Sequence, residues 1–178
     1  MLKLTENTTH KKSIYQGRIV DLNIHDVELP NGKTSKREII NHPGAVALIA
    51  ITEDDKILMV KQFRKALEKE IVEIPAGKLE KDEKPEETAA RELEEETGYK
   101  TNQLNKVLSF YTSPGFADEI VHIFETDKLI KGDTSLDEDE FVEIMEVTLE
   151  EAEEMIETEE IHDAKTVFAV QYIKQKMK

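Results

Sequence analysis

Three glutamates, Glu92, Glu95 and Glu96, stand at i, i+3 and i+4 spacing, with Arg91 beside them and Glu83 a little upstream. Pro85 suits the first turn of a helix and Gly98 suits a left-handed cap at its end, so a helix is predicted between them. At 100° per residue, Ala89, Ala90, Leu93 and Thr97 fall on one side of that helix. Glu92, Glu95 and Glu96 fall on another, and Glu94 projects between the two groups. Like charges at this spacing destabilise an isolated helix by about 0.2–0.5 kcal/mol per pair, so the acidic face calls for a compensating cation. Two readings are open at this point. The face is solvated surface, or its carboxylates are the oxygen ligands that a hard divalent ion such as Mg²⁺ accepts.

The wider stretch narrows the choice. Counting from Gly77, five residues lead to Glu83, and seven more lead to Arg91. Glu92, Leu93, Glu94, Glu95, Glu96, Thr97, Gly98 and Tyr99 follow. This resembles the signature of the Nudix hydrolases, G-x5-E-x7-R-E-U-x-E-E-x-G-U, where U is a bulky apolar residue. Every fixed position is met; Tyr99 stands where an aliphatic residue is commoner. The resemblance implies that Glu92, Glu95 and Glu96 bind divalent metal, with the carbonyl of Ala76 as an extra ligand. Arg91 would hold the glutamates by charge-assisted hydrogen bonds. Gly77 would give the loop a conformation that other residues resist. Glu83 reads as an accessory metal residue, or as an exposed loop acid. The implied cofactor is Mg²⁺, with Mn²⁺ able to substitute.

Segments outside the signature resemble the ADP-ribose pyrophosphatase branch of that family. They are Tyr111-Thr112-Ser113-Pro114-Gly115-Phe116-Ala117-Asp118-Glu119, His42-Pro43-Gly44-Ala45-Val46, Gln62-Phe63-Arg64 and Glu73-Ile74-Pro75-Ala76-Gly77. In that branch the general base lies in a late acidic loop. Here this matches Glu138 as base and Glu140 as an additional metal ligand, with Glu95 next in line as base. The resemblance also implies a homodimer that exchanges amino-terminal strands. Tyr15 would then stack on adenine, while Arg18 and Arg64 supply positive charge to the diphosphate or ribose. Pro114, Gly115 and Phe116 would form the substrate loop, and Glu119 would contact the terminal ribose or water. Tyr15 and Arg18 have an ordinary alternative, as sheet packing and surface charge.

The chemistry needs these parts. A diphosphate ester resists hydrolysis partly because its own charge repels a nucleophile. Divalent ions held by carboxylates neutralise that charge and activate water near neutral pH, and a further carboxylate within reach takes the proton. The expected reaction is Mg²⁺-dependent hydrolysis of ADP-ribose to AMP and ribose 5-phosphate. A UDP- or GDP-sugar is the alternative substrate class. A non-catalytic ADP-ribose-sensing module on the same fold is the third reading, disfavoured by the intact set of acids. His10, His25, His42, His122 and His162 show no ligand spacing, and the chain contains no cysteine for thiolate chemistry or disulfides.

Composition bounds the rest. A chain of 178 residues can bury a real core. The formal charge of −15 argues against a nucleic-acid partner, since phosphate neutralisation needs clustered Lys and Arg. No apolar window is long enough to span a membrane, and the amino terminus lacks a signal-peptide pattern, so a cytoplasmic protein is expected. From Asp137 to Glu160 there are many acids and no Lys or Arg. Most of that run reads as solvated surface.

The positioning elements follow from pattern. Residues 14–29 read as two short strands, with a turn at Pro30-Asn31-Gly32-Lys33 and a third strand at 36–41. Residues 45–52 and 56–63 read as a hairpin turned by Asp54-Asp55. Further strands are expected at 70–74, 104–111, 120–126 and 140–147. Helices are expected at 149–157 and 164–176, with Asp163 as N-cap of the second. The fold class is α+β, and the family resemblance sharpens it to an α/β/α sandwich with a mixed sheet plus a small amino-terminal antiparallel sheet. Residues 1–42 are expected to serve dimerisation and substrate sharing, and 43–178 to form the hydrolase domain.

Replacing Glu138 with Gln is expected to depress kcat far more than substrate binding, the pattern for a contact made mainly in the transition state. Steady-state kinetics on the purified variant check this; an unchanged kcat moves the base to Glu140 or Glu95.

Overall fold

The computed structural model describes residues 4–132 and 141–177. Those residues form an α+β fold of twelve strands and three helices. Three strands, β1 (Asn7–Gln16), β2 (Asp21–Glu28) and β3 (Thr34–Asn41), make an antiparallel sheet in the order β1-β2-β3. The β2–β3 turn closes where expected: Gly32 adopts φ 77°, a left-handed conformation that suits glycine, and Leu29 and Lys33 bond across it. β1 begins well before the expected strand. It is exposed along its whole length, so no alternation of buried and exposed residues marks its start.

β4 (Ala45–Ala50) is almost wholly buried, as its unbroken apolar run requires. It pairs in parallel with β10 (Ile120–Thr126) and antiparallel with the short β7 (Ala76–Lys78). The four-stranded sheet runs β7-β4-β10-β9, with β9 at Asn105–Tyr111. β5 (Ile57–Arg64), β6 (Lys69–Glu73) and β12 (Val142–Val147) form another sheet, in the order β12-β5-β6. Two short strands, β8 (Tyr99–Lys100) and β11 (Ile130–Lys131), pair with each other. The expected hairpin from β4 to β5 is therefore corrected. Its turn forms, with Asp55 at φ 58° and Thr52 bonded to Lys56, but beyond the single bridge Ile51–Ile57 the two strands enter different sheets.

Helix α1 (Pro85–Thr97) starts at its proline and ends at Gly98, whose φ of 70° gives the left-handed cap and whose N–H donates to the Glu94 carbonyl. Ala89 and Leu93 are fully buried and join Val46, Leu48, Ala50, Leu58 and Phe124 in one apolar cluster. At about 25 cal/mol per Å² of apolar surface removed from water, this packing, rather than helix propensity, fixes which face of α1 turns inward. Helices α2 (Leu149–Glu157) and α3 (Ala164–Lys176) occupy the expected ranges. Asp163 caps α3 through the backbone N–H groups of Lys165 and Thr166. Among the described residues no helix is long and apolar enough to cross a membrane.

The residues group into two compact units: Met1–Gly44 with Phe110–Ile120, and Ala45–Ser109 with Val121–Lys178. The loop between β9 and β10 thus belongs with the amino-terminal sheet, to which Ile40 and Ala117 bridge it.

Candidate active site

Burying Leu93 and Ala89 leaves Arg91, Glu92 and Glu95 only partly covered and brings Glu96 against β7. Glu96 is 5% exposed, and its Oε2 accepts from the backbone N–H of Ala76 at 3.0 Å. The Glu92 carboxylate lies over the next residue, Gly77. A Cβ built there would meet Glu92 Cδ at 1.8 Å and its two oxygens at 2.0 and 2.2 Å. The expected role of Gly77 is corrected accordingly: it is not among the residues of positive φ, and what it supplies is room for a carboxylate.

Arg91 gathers the acids. Its Nε and Nη2 donate to the two oxygens of Glu83 at 3.2 and 3.1 Å, a bidentate grip. Its Nη1 donates to Glu92 Oε1 at 3.0 Å and to Glu95 Oε2 at 2.7 Å. The hydrogen bond to Glu83 raises the Arg91 pKa above its already high value, against burial, with Glu95 and Glu92 adding to the rise. The same bond holds the Glu83 carboxyl below the ordinary glutamate value, again against burial, helped by the Thr88 hydroxyl at 2.8 Å. Glu83 is therefore tied to α1, and its reading as a loose exposed acid does not hold. Glu94, outside this group, pairs with Lys100 at 2.7 Å.

Among the described residues no three His, Cys, Asp or Glu side chains converge into a ready-made ligand group. Glu92 and Glu95 are joined through Arg91 instead. The donor chemistry nonetheless fits a hard divalent cation. Two glutamates, one of them buried, reach adjacent residues of one short strand, and a cation would relieve their mutual repulsion.

Arg64, at the end of β5, is bound to Glu73 of β6, Nε to Oε2, at 2.6 Å. Burial lowers the Arg64 pKa, and the Glu73 bond outweighs it, with Glu96 and Asp163 contributing, so the guanidinium stays raised. The Glu73 side chain is 4% exposed, and its other oxygen takes the ammonium of Lys165. The sequence marks Glu73 only as part of the Glu73–Gly77 segment and does not single out Lys165, since nothing local marks a pair 92 positions apart.

In the amino-terminal unit the ring of Tyr15 folds back over Gly17, where a Cβ would meet it at 2.6 Å. Tyr15 is 59% exposed, and Arg18 is exposed too. Pro114, Gly115 and Phe116 form an exposed turn closed by the N–H groups of Phe116 and Ala117 on the Ser113 carbonyl. Asp118, not singled out from sequence, anchors that turn. Its Oδ2 accepts from Asn41 Nδ2 at 2.7 Å and its Oδ1 from the His42 N–H at 2.8 Å. Burial raises the Asp118 pKa, and these two bonds outweigh it to leave the carboxyl below its ordinary value. Glu119 accepts from the Thr112 hydroxyl at 2.6 Å and stands 3.6 Å from His42 Nδ1. Glu138 and Glu140 lie outside the described residues.

The family model described as the NUDIX domain matches residues 41–170. An ADP-ribose pyrophosphatase of Bacillus subtilis (strain 168) is 61% identical over 178 residues, covering 99% of this chain and 96% of that one. A protein of Bacillus methanolicus named methanol dehydrogenase activator is 60% identical over 176 residues, covering 97% and 95%. A crystal structure of an ADP compounds hydrolase superposes with a TM-score of 0.85 at 20% identity, covering 97% of this chain and 94% of that one, a likeness of fold.

Two outcomes follow from this geometry. Gly77→Ala is expected to displace the Glu92 carboxylate and lower kcat by about a hundredfold. Its thermal midpoint should stay close to the parent's, because the backbone conformation suits alanine; a near-parental rate would sink the close-approach argument. Glu83→Gln tests linkage: a carboxyl with a depressed folded pKa stabilises above its unfolded value, near 4.5, and that contribution vanishes as pH falls through the folded value. Urea midpoints from pH 7 down to pH 3 should show the variant less stable at neutral pH and converging with the parent in acid. A pH-independent gap would contradict this.

Proposed function

The chain belongs to the NUDIX family, and from that premise we propose that it hydrolyses the diphosphate linkage of ADP-ribose to AMP and ribose 5-phosphate, taking up one water. The observation that carries the reading is the near-full-length identity to the Bacillus subtilis ADP-ribose pyrophosphatase, with every fixed position of the signature in place. In our reading Mg²⁺, or Mn²⁺ in its stead, is held by Glu92, Glu95, Glu96 and the Ala76 carbonyl, with Glu140 as a further ligand. When bound, such cations supply neutralisation of the diphosphate charge and a water acidic enough to attack at neutral pH. The chain's own residues do the rest. Arg91 keeps the carboxylates in register, Glu83 keeps Arg91 in place, and Glu138 takes the proton from the attacking water. Arg64 supplies charge to the diphosphate or ribose. Pro114, Gly115 and Phe116 border the substrate, and Glu119 contacts the terminal ribose or its water.

We further propose a cytoplasmic homodimer formed through exchanged amino-terminal strands, which brings Tyr15 onto the adenine and Arg18 near the phosphates of the partner copy. The support is the fully exposed β1 and the apolar Leu4, Ile14, Tyr15 and Ile19 left in water on this sheet and its flanks. A second reading, action on a methanol dehydrogenase, draws on the identity to the Bacillus methanolicus activator.

One panel separates these. Incubated with Mg²⁺ and ADP-ribose, UDP-sugars or GDP-sugars, the protein is expected to release AMP from ADP-ribose in preference to UMP or GMP from the others. Glu96→Gln should abolish release while leaving the circular-dichroism spectrum unchanged. Near-full activity of Glu96→Gln overturns the metal assignment. No release from any substrate, with tight ADP-ribose binding, favours a sensor. A rise in methanol dehydrogenase turnover on adding this protein supports the second reading.

A further inference from the structure

Glu73 is a buried carboxylate that none of the steps above uses. A charge so placed must be compensated by hydrogen-bonded cations. Compensation here comes in a particular division. Oε2 takes Arg64 Nε alone, and Oε1 takes Lys165 Nζ. Lys165 is in turn held by Asp163 Oδ1 at 2.8 Å, and the same oxygen caps α3. Two more links tie this region together: the N–H of Ile74, just past β6, donates to Thr166 Oγ1 of α3 at 3.0 Å, and the N–H of Val72 in β6 to the carbonyl of Glu160, ahead of α3, at 2.8 Å. The Lys165 side chain is thus fixed by a folded segment and is 14% exposed, whereas the Arg64 side chain is 39% exposed.

An arginine and a carboxylate left to themselves prefer a two-bond fork, which uses Nε and one Nη together. With Lys165 drawing Oε1 toward α3, Arg64 meets this carboxylate through Nε, and among the described bonds no Nη donates to Glu73, which leaves the Nη groups for another anion. We propose that Glu73 and Lys165 are positioning residues for the substrate: they hold Arg64 by Nε only, so that its Nη groups serve the diphosphate or ribose. This rests on the assignment of Arg64 to substrate made above.

Lys165→Met keeps the stem and removes the ammonium, so Glu73 is expected to take Arg64 by the full fork. The expected result is a KM for ADP-ribose raised about tenfold with kcat and the Mg²⁺ dependence close to the parent's, and Lys165→Arg restoring most of it. In an Arg64→Ala background, Lys165→Met should add little. An unchanged KM in Lys165→Met, or an equal rise when Arg64 is already alanine, overturns the proposal. Nitrogen-15 spectra of the Arg64 side chain, recorded without substrate or metal, give a second readout. The Arg64 resonances should shift in Lys165→Met, and unshifted resonances overturn the positioning claim on their own. Should Arg64→Ala alone leave KM untouched while those resonances shift, the substrate role of Arg64 is what fails.

Discussion

A single guanidinium organises the acidic helix. Arg91 grips Glu83 with two nitrogens and shares a third between Glu92 and Glu95, so three carboxylates that would repel one another are held within reach of one cation. On an isolated helix the acidic face is unfavourable; here it is tolerated because the arginine is built into the same turn. Everything that sets the arginine's place matters in consequence. Burial of Ala89 and Leu93 fixes the roll of α1, Gly98 ends it, and Thr88 steadies Glu83 from the other side.

The strand opposite that helix is just as constrained. β7 is three residues long, yet it gives Glu96 a backbone N–H and Glu92 an empty side-chain position. Its approach is set by Ile74 and Pro75: the Pro75 carbonyl accepts from the Leu48 N–H, and the Ile74 N–H is tied to α3. The Glu96 carboxylate is kept 5% exposed with its Oε2 on the Ala76 amide, so burial and this hydrogen bond together hold it against the strand.

What could be read from sequence divides along physical lines. The helix from Pro85 to Thr97, the strand 120–126, the helices 149–157 and 164–176 and the Asp163 cap carry their signals locally, in caps and in burial period, and the structure places them as expected. β1 extends through NTTHKKS, where no residue alternates between core and solvent, so no period could mark it. β7, β8 and β11 are too short to leave a pattern. The partnership of β4 with β10 in parallel, in place of a β4–β5 hairpin, depends on pairing between residues 76 positions apart, such as Ala45 and Val121, which the turn at Asp55 cannot report. The site shows the same split. The signature residues were legible because their spacing is contiguous, whereas Glu73 with Lys165, and Asn41 with Asp118, are joined only by the fold.

The anchoring of the Ser113–Phe116 turn to β3 has a bearing on how such chains diverge. Ile40 and Asn41 hold Phe116, Ala117 and Asp118 by backbone and side-chain bonds, so two pieces far apart in the gene move as one body. A chimera meant to exchange this turn between relatives would therefore have to carry both pieces at once. Exchanging either alone would break the seam between them, and recombination at a single crossover would seldom find the working combination.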